Sequence, residues 1–106
     1  MNPPIRSGAL CAALLAAQFA VLPAPTFAAD AATVTLLGRC VACHGADGIG
    51  KAPQYPNLRG QKAGYLEKSL KAFRSGERKD VNMSVMATGL TDAEIAKLVA
   101  YFSKLD

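Results

Sequence analysis

The C-terminal segment carries the clearest pattern of apolar and polar positions. Apolar side chains recur there at intervals of three and four residues, at Ile95, Leu98, Val99, Phe102 and Leu105. That spacing places them on one face of an α-helix. Thr91 and Glu94 stand just before this run in the T-x-x-E order of a capping box, which marks a helix start. The pattern therefore predicts a helix that begins after Thr91.

A second helix is predicted over residues 63–75. Leu66, Leu70 and Phe73 fall on one face there, and basic residues turn outward between them. Gly76 follows directly and ends the helix.

A third, shorter helix is predicted over residues 32–40, where Val34, Leu36 and Leu37 form an apolar face. Glycines and prolines then interrupt regular structure, so residues 45–58 are expected to form a loop. No stretch shows the alternation of period two that a half-buried strand requires. We therefore expect an all-α domain.

The first 28 residues have the order of a secretory signal peptide. A basic residue stands near the start, an Ala-rich apolar run extends from Ala9 to Leu22, and small residues precede a cleavage position after Ala28. The run is shorter than the roughly 20 residues that a spanning helix needs, which disfavours an uncleaved anchor. We expect export to the periplasm with removal of residues 1–28, including Cys11. Residues 29–106 then form one domain.

The charge balance narrows the range of partners. The chain has 12 Lys and Arg against 8 Asp and Glu, for a formal charge of +4. Arg6 is the one charged residue in the segment expected to be removed, so the mature charge is +3. Acidic residues are interspersed among the basic ones, and a dense basic block is lacking. Nucleic acid is therefore not an expected partner.

The candidate chemistry lies in "RCVACHG", where Cys40, Cys43 and His44 occupy five consecutive positions. A redox-active disulfide of the thioredoxin kind needs an α/β domain, and no strands are predicted. A zinc site needs a fourth ligand, and no further Cys or His follows. The remaining interpretation is covalent attachment of one haem c, for which C-x-x-C-H is the signature.

The spacing suits that chemistry. The two thiols add to the two vinyl groups of the porphyrin, and His44 is carried under the iron as an axial ligand. A domain of this size buries little apolar surface by itself, so a large apolar cofactor would also complete its core.

The resemblance extends beyond this motif. "CVACHGADGIG", "YPNLRGQKAGYLEKSLKAFRSGER" and "MSVMATGLTDAEIAKLVAYFSKL" together resemble a class I cytochrome c, and most of all one domain of the bacterial dihaem cytochromes and their single-haem relatives. The resemblance implies a small all-α fold in which the terminal helices cross around one covalently bound haem. It implies that the Pro56 carbonyl bonds the second ring nitrogen of His44. Tyr101 is expected at the helix crossing, next to Leu36.

The sixth iron ligand is expected to be a methionine, because thioethers are common distal ligands in electron-transfer haems. Met83 and Met86 are the two candidates after signal removal, and their spacing alone does not separate them. The resemblance favours Met83 as the ligand and assigns Met86 to an apolar packing position.

These ligands imply an electron carrier that docks transiently with redox partner proteins and is not itself an enzyme. Lys51, Arg59 and Lys62 form the expected docking surface; the alternative interpretation is that they are ordinary solvated positions. An alternative is the haem subunit of a periplasmic dehydrogenase complex. A five-coordinate sensor or peroxidase-like site is disfavoured, because His44 is the only histidine and no second imidazole is present for acid–base chemistry.

Overall fold

The computed structural model describes residues 1, 3–4, 8, 16–23 and 30–106. These contain four α-helices and no β-strand: α1 (Ala31–His44), α2 (Ala63–Ser75), α3 (Met83–Ala87) and α4 (Asp92–Ser103). The all-α prediction is confirmed. The expected cleavage position after Ala28 lies outside the described residues. None of the helices in the described part of the chain is long and apolar enough to cross a membrane.

Helix α1 is longer than the predicted segment, because it continues through the cysteine motif. Asp30 caps its start, where the side chain accepts a hydrogen bond from the Thr33 N–H at 2.7 Å. Gly45, with φ of 81°, ends it directly after His44. Val34 is 58% exposed and does not share the buried face of Leu36. Residues two apart on a helix point in nearly opposite directions, which explains this difference.

Helices α2 and α4 agree with the sequence pattern. Gly76 adopts the left-handed conformation at the end of α2. The capping box of α4 is complete: the Glu94 N–H donates to the Thr91 hydroxyl at 3.1 Å, and the Thr91 N–H donates to Glu94 Oε2 at 2.8 Å.

The core forms where the helices meet. Helix α2 packs against α3 and α4, and α1 packs against α4, so the terminal helices are in contact. The main buried cluster comprises Leu36, Phe73, Ala87, Leu90, Ile95 and Leu98. At the surface, Lys97 of α4 donates to the Asp30 carboxylate at 3.2 Å and so ties α4 to the start of α1.

Residues 45–62 form the loop that follows α1. The Lys51 N–H donates to the Cys43 carbonyl at 2.9 Å, which folds the loop back onto the end of the helix. The Gly60 N–H donates to the Phe102 carbonyl at 3.0 Å and joins the far end of the loop to α4. Gly50 lies so close to the Tyr55 carbonyl oxygen that a Cβ atom there would overlap it.

Helix α3 was not predicted. It has five residues, which is too short for a helical period to show in the sequence. It carries Met83 at its first position and Met86 on its exposed side.

Candidate haem site

The last turn of α1 carries Cys40, Cys43 and His44 together. Both cysteines are free thiols and half-buried, and His44 is buried with 7% of its surface exposed. Burial raises the pKa of the Cys40 thiol above its ordinary value, against a smaller opposing effect of the neighbouring Arg39 charge. One helical turn therefore presents two thiols and an imidazole in fixed order.

His44 is oriented by the loop that follows it. Its Nδ1 atom lies 2.8 Å from the Pro56 carbonyl oxygen, at hydrogen-bond distance. A carbonyl can only accept, so Nδ1 carries the proton and Nε2 is the basic nitrogen. Nε2 has no hydrogen-bond partner in residues 30–106. The Tyr55 ring stands edge-on to the imidazole, with ring centroids 6.5 Å apart. The imidazole is thus held in the tautomer that a metal ligand requires.

The two methionines differ in their surroundings. Met83 is half-buried and packs against the main core cluster, as Cys40 does. Met86 is 40% exposed, and its backbone carbonyl accepts a hydrogen bond from Arg39 at 3.4 Å. Met83 is therefore the methionine that packs against the core cluster that Cys40 also contacts.

The donor set fits a covalently attached haem. No three His, Cys, Asp or Glu side chains in the described residues form a group able to hold a metal ion by themselves. Two thiols three residues apart beside one oriented imidazole instead match a porphyrin, which is bonded at its edge and ligated at its centre. Cys40 and Cys43 would hold the haem, and His44 would ligate its iron.

Asp80, which precedes α3, is a polar residue that the sequence pattern did not indicate. Asp80 Oδ1 accepts from the Met83 N–H at 2.8 Å and from the Asn82 N–H at 2.9 Å. These bonds, the one from Met83 first, hold the pKa of Asp80 below its ordinary value of 3.8, so the carboxylate is ionised at neutral pH. In the sequence, Asp80 is only an aspartate three residues before a methionine. That spacing indicates a helix cap only once a helix is known to begin at Met83.

Arg74 supports the other end of the same segment. Its guanidinium donates to the Leu90 carbonyl at 2.8 Å and pairs with the Asp92 carboxylate at 2.8 Å. Arg74 thereby links α2 to the junction between α3 and α4. The sequence pattern had placed this residue on the outward face of α2, and its side chain is 31% exposed.

Tyr101 is half-buried, and its hydroxyl donates to the Ala46 carbonyl at 2.6 Å. It thus joins α4 to the loop behind His44, while Leu36 packs in the main cluster with Ile95 and Leu98.

Comparison with known proteins places this site in a family. The cytochrome c family model matches residues 28–106. Cytochrome c-554(548) of Halomonas halodenitrificans is 59% identical over 70 residues, which cover 63% of this chain and 84% of that protein. A thiosulfate dehydrogenase electron acceptor of Thiomonas intermedia is 40% identical over 97 residues, which cover 91% of this chain and 43% of that protein.

A solved structure of cytochrome c4 from Acidithiobacillus ferrooxidans superposes with a TM-score of 0.59 at 39% identity. The match covers 62% of this chain and 38% of that one, so this chain spans less than half the length of that structure and of the Thiomonas protein. The expected resemblance to one domain of the dihaem cytochromes is confirmed. With its C-x-x-C-H turn, its oriented histidine and the four helices of the described residues, the chain belongs to the cytochrome c family.

Proposed function

We propose that the protein is a periplasmic monohaem c-type cytochrome that shuttles single electrons between redox partners. One observation carries the proposal: Cys40, Cys43 and a buried His44 share one helical turn, and His44 Nδ1 is fixed on the Pro56 carbonyl at 2.8 Å. When bound, the haem supplies an iron that alternates between ferrous and ferric states without a change in its covalent attachment.

The chain's own residues have separate roles in this proposal. Cys40 and Cys43 form the two thioether links. Pro56 orients His44 and makes its Nε2 a better ligand, because a hydrogen bond at the other ring nitrogen raises ligand basicity. Met83 is the sixth ligand, supported by its packing against the same cluster as Cys40 and by the exposure of Met86. With His44 and Met83 as its two protein ligands, the iron would carry electrons and would leave no place for a substrate.

The proposed location follows from the N-terminal pattern. Cleavage after Ala28 leaves Asp30 as the second residue of the mature chain, where it caps α1 and pairs with Lys97. The cut is therefore compatible with the first contacts of the domain. It removes the apolar run from Ala9 to Leu22.

Docking is proposed at the loop beside the motif. Lys51, Arg59 and Lys62 are all exposed, which leaves their charges available to an acidic partner surface. With two haem propionates added, the net charge of the mature protein falls to about +1, so its attraction to partners is weak and falls with salt.

A second candidate function is the haem subunit of a periplasmic dehydrogenase complex. The similarity to the Thiomonas intermedia protein favours it, because that relative is named for accepting electrons from thiosulfate dehydrogenase. Val81 and Val85 are 83% and 64% exposed and offer apolar surface to a permanent partner. Affinity purification from the native host discriminates the two: a stable stoichiometric enzyme supports the subunit, and an isolated small cytochrome supports the carrier.

The first experiment is an absorption spectrum of the protein exported in a host that attaches haem. Sharp reduced bands, together with the weak long-wavelength ferric band of methionine ligation, are expected. A haem spectrum without that band would point to a five-coordinate site. Absence of covalent haem would return Cys40 and Cys43 to the disulfide hypothesis.

The sixth ligand is tested by Met83→Ala beside Met86→Ala. We expect Met83→Ala to abolish the long-wavelength band and to lower the reduction potential, because the thioether favours ferrous iron. Met86→Ala is the matched control and should keep both properties. Loss of the band in the Met86 variant alone would overturn the assignment.

A further inference from the structure

The segment that carries Met83 is the least supported part of the proposed site. Helix α3 has only five residues, and the Asn82 side chain at its N-cap makes no capping hydrogen bond. A helix this short does not form without help from its surroundings, because the cost of nucleation exceeds what its few internal bonds return. Some other contact must fix the first turn, where Met83 stands.

Asp80 makes that contact. Its carboxylate accepts from two consecutive backbone N–H groups, those of Asn82 and Met83, at 2.9 and 2.8 Å. Its own N–H donates to the Ser84 hydroxyl at 3.0 Å, and its carbonyl accepts from the Ser84 N–H at 3.0 Å. The residue is thus bonded through side chain, amide and carbonyl to the three residues that begin the helix.

The hydrogen bonds that other helices make to the segment act at its other end. Arg39 reaches the Met86 carbonyl at 3.4 Å, and Arg74 reaches the Leu90 carbonyl at 2.8 Å. In residues 30–106, Asp80 is the only residue whose side chain accepts from the backbone N–H groups of Asn82 and Met83, and the Ser84 hydroxyl bonds Asp80 itself. The backbone N–H of Met83 is itself one of the donors, so movement of this bond moves the Cα atom from which the thioether extends.

We propose that Asp80 is a positioning residue for the sixth iron ligand: its carboxylate fixes the first turn of α3 and thereby holds the Met83 thioether where the iron can bind it. The inference rests on the proposed His44 and Met83 ligation. Asp80 touches neither haem nor iron in this role. It acts by lowering the free energy of the ligand-on conformation relative to a conformation in which Met83 has swung away.

Displacement of the methionine by an external ligand measures this effect directly. Imidazole binds ferric haem only when Met83 has left, so its apparent dissociation constant contains the cost of releasing the thioether. Asp80→Ala removes both side-chain bonds and should tighten imidazole binding by about three- to thirtyfold, the factor expected for loss of a helix cap. Asp80→Asn keeps an acceptor at Oδ1 and should stay within about twofold of the wild type.

Asp30→Ala provides the matched control. Asp30 is also an exposed aspartate whose Oδ1 caps a helix, at 2.7 Å from the Thr33 N–H, but it stands at the start of α1 and far from α3 in the sequence. Its loss should lower the thermal midpoint and leave imidazole affinity, reduction potential and the long-wavelength ferric band unchanged. If Asp80 had a purely structural role, Asp80→Ala would likewise lower the thermal midpoint and leave the imidazole affinity, the reduction potential and the ferric band unchanged.

The outcomes separate this inference from the function on which it rests. Tighter imidazole binding and a weaker ferric band in Asp80→Ala, with Asp80→Asn and Asp30→Ala close to the wild type, support it. A wild-type band with unchanged imidazole affinity in Asp80→Ala overturns it while the His/Met carrier stands. Equal shifts in the Asp80 and Asp30 variants also overturn it. A wild type that lacks the band overturns the methionine ligation, and the inference falls with it.

Discussion

Residues 40–58, the proximal side of the site, and residues 80–90, the distal side, are held by different kinds of contact. On the proximal side long backbone–backbone bonds join the loop to itself and to α1, beside side-chain bonds such as that of Tyr101 to Ala46: the Lys51 N–H reaches the Cys43 carbonyl at 2.9 Å, and the Leu58 N–H reaches the Gly48 carbonyl at 2.8 Å. On the distal side, every hydrogen bond from the described residues that ties the segment to another helix comes from an arginine side chain.

This difference indicates which substitutions would alter the surroundings of the proposed iron site. Backbone bonds do not depend on side-chain identity, so these links of the proximal side tolerate most surface changes and are lost where the chain path itself is blocked. The distal side depends on a few partly exposed side chains, and the loss of any one of their hydrogen bonds lowers the stability of that segment. Under the proposed Met83 ligation, substitutions on the distal side would adjust the sixth ligand without loss of the fold.

The largest expected effect is a loss of stability caused by a substitution in the proximal loop. A Cβ atom at Gly50 would overlap the Tyr55 carbonyl oxygen, and backbone atoms cannot rotate away as a side chain can. Gly50→Ala should therefore destabilise the holoprotein by about 3 kcal/mol, as for a severely overpacked site. Denaturant unfolding followed by haem absorbance measures the loss.

Gly64→Ala is the control for this substitution, because nothing lies within 4 Å of a Cβ atom placed there in α2. It should leave stability equal or raise it by about 0.5 kcal/mol, as alanine favours a helix over glycine. Wild-type stability in Gly50→Ala would show that the proximal loop is not tightly fixed.

A smaller effect is expected from the distal side. Arg74→Met keeps the side-chain stem but removes the donor to the Leu90 carbonyl, which should cost about 1 kcal/mol and loosen the junction of α3 with α4. Imidazole binding to the ferric protein should tighten at the same time. Lys71→Met, which removes only an exposed pair with Glu67 on the same helix, should change both quantities less. Equal effects of the two substitutions would contradict the role given to Arg74.

The smallest effect concerns acid stability. The hydrogen bond and charge of Arg74 lower the pKa of Asp92 from its ordinary value of 3.8. A carboxylate with a lowered folded-state pKa stabilises the protein above that ordinary value, and the contribution is lost as the pH falls through the lower one. Asp92→Asn should therefore reduce stability slightly at neutral pH and approach the wild type in acid, as thermal unfolding across pH will show. A difference that persists undiminished in acid would exclude this cause.

Much of the fold could be read from the sequence because its signals are local. The capping box at Thr91, the apolar spacing in α2 and α4, and the terminal Gly76 each involve residues within one or two turns, and all three are confirmed. The C-x-x-C-H turn is local in the same sense. Val34 did not fit, because a nine-residue stretch is too short to define a helix face.

The distal side could not be read in this way. Helix α3 is defined by the Asp80 bonds and by packing against α2, neither of which leaves a period in the sequence. The contact of Pro56 with His44 spans 12 residues of loop, and only the family resemblance indicated it. The choice between Met83 and Met86 likewise came from resemblance, and it stays a prediction until the variants are measured.

Cys40, Cys43 and His44 need no tertiary structure to come together, because one helical turn holds all three. Met83 reaches the core that Cys40 contacts only after α2, α3 and α4 have packed. Under the proposed assignments, covalent attachment would be able to precede folding during export, whereas ligation by Met83 would have to follow it. In a newly made chain, the thioether links would then report that the haem has been attached. The methionine band would appear later and would report that the domain has folded.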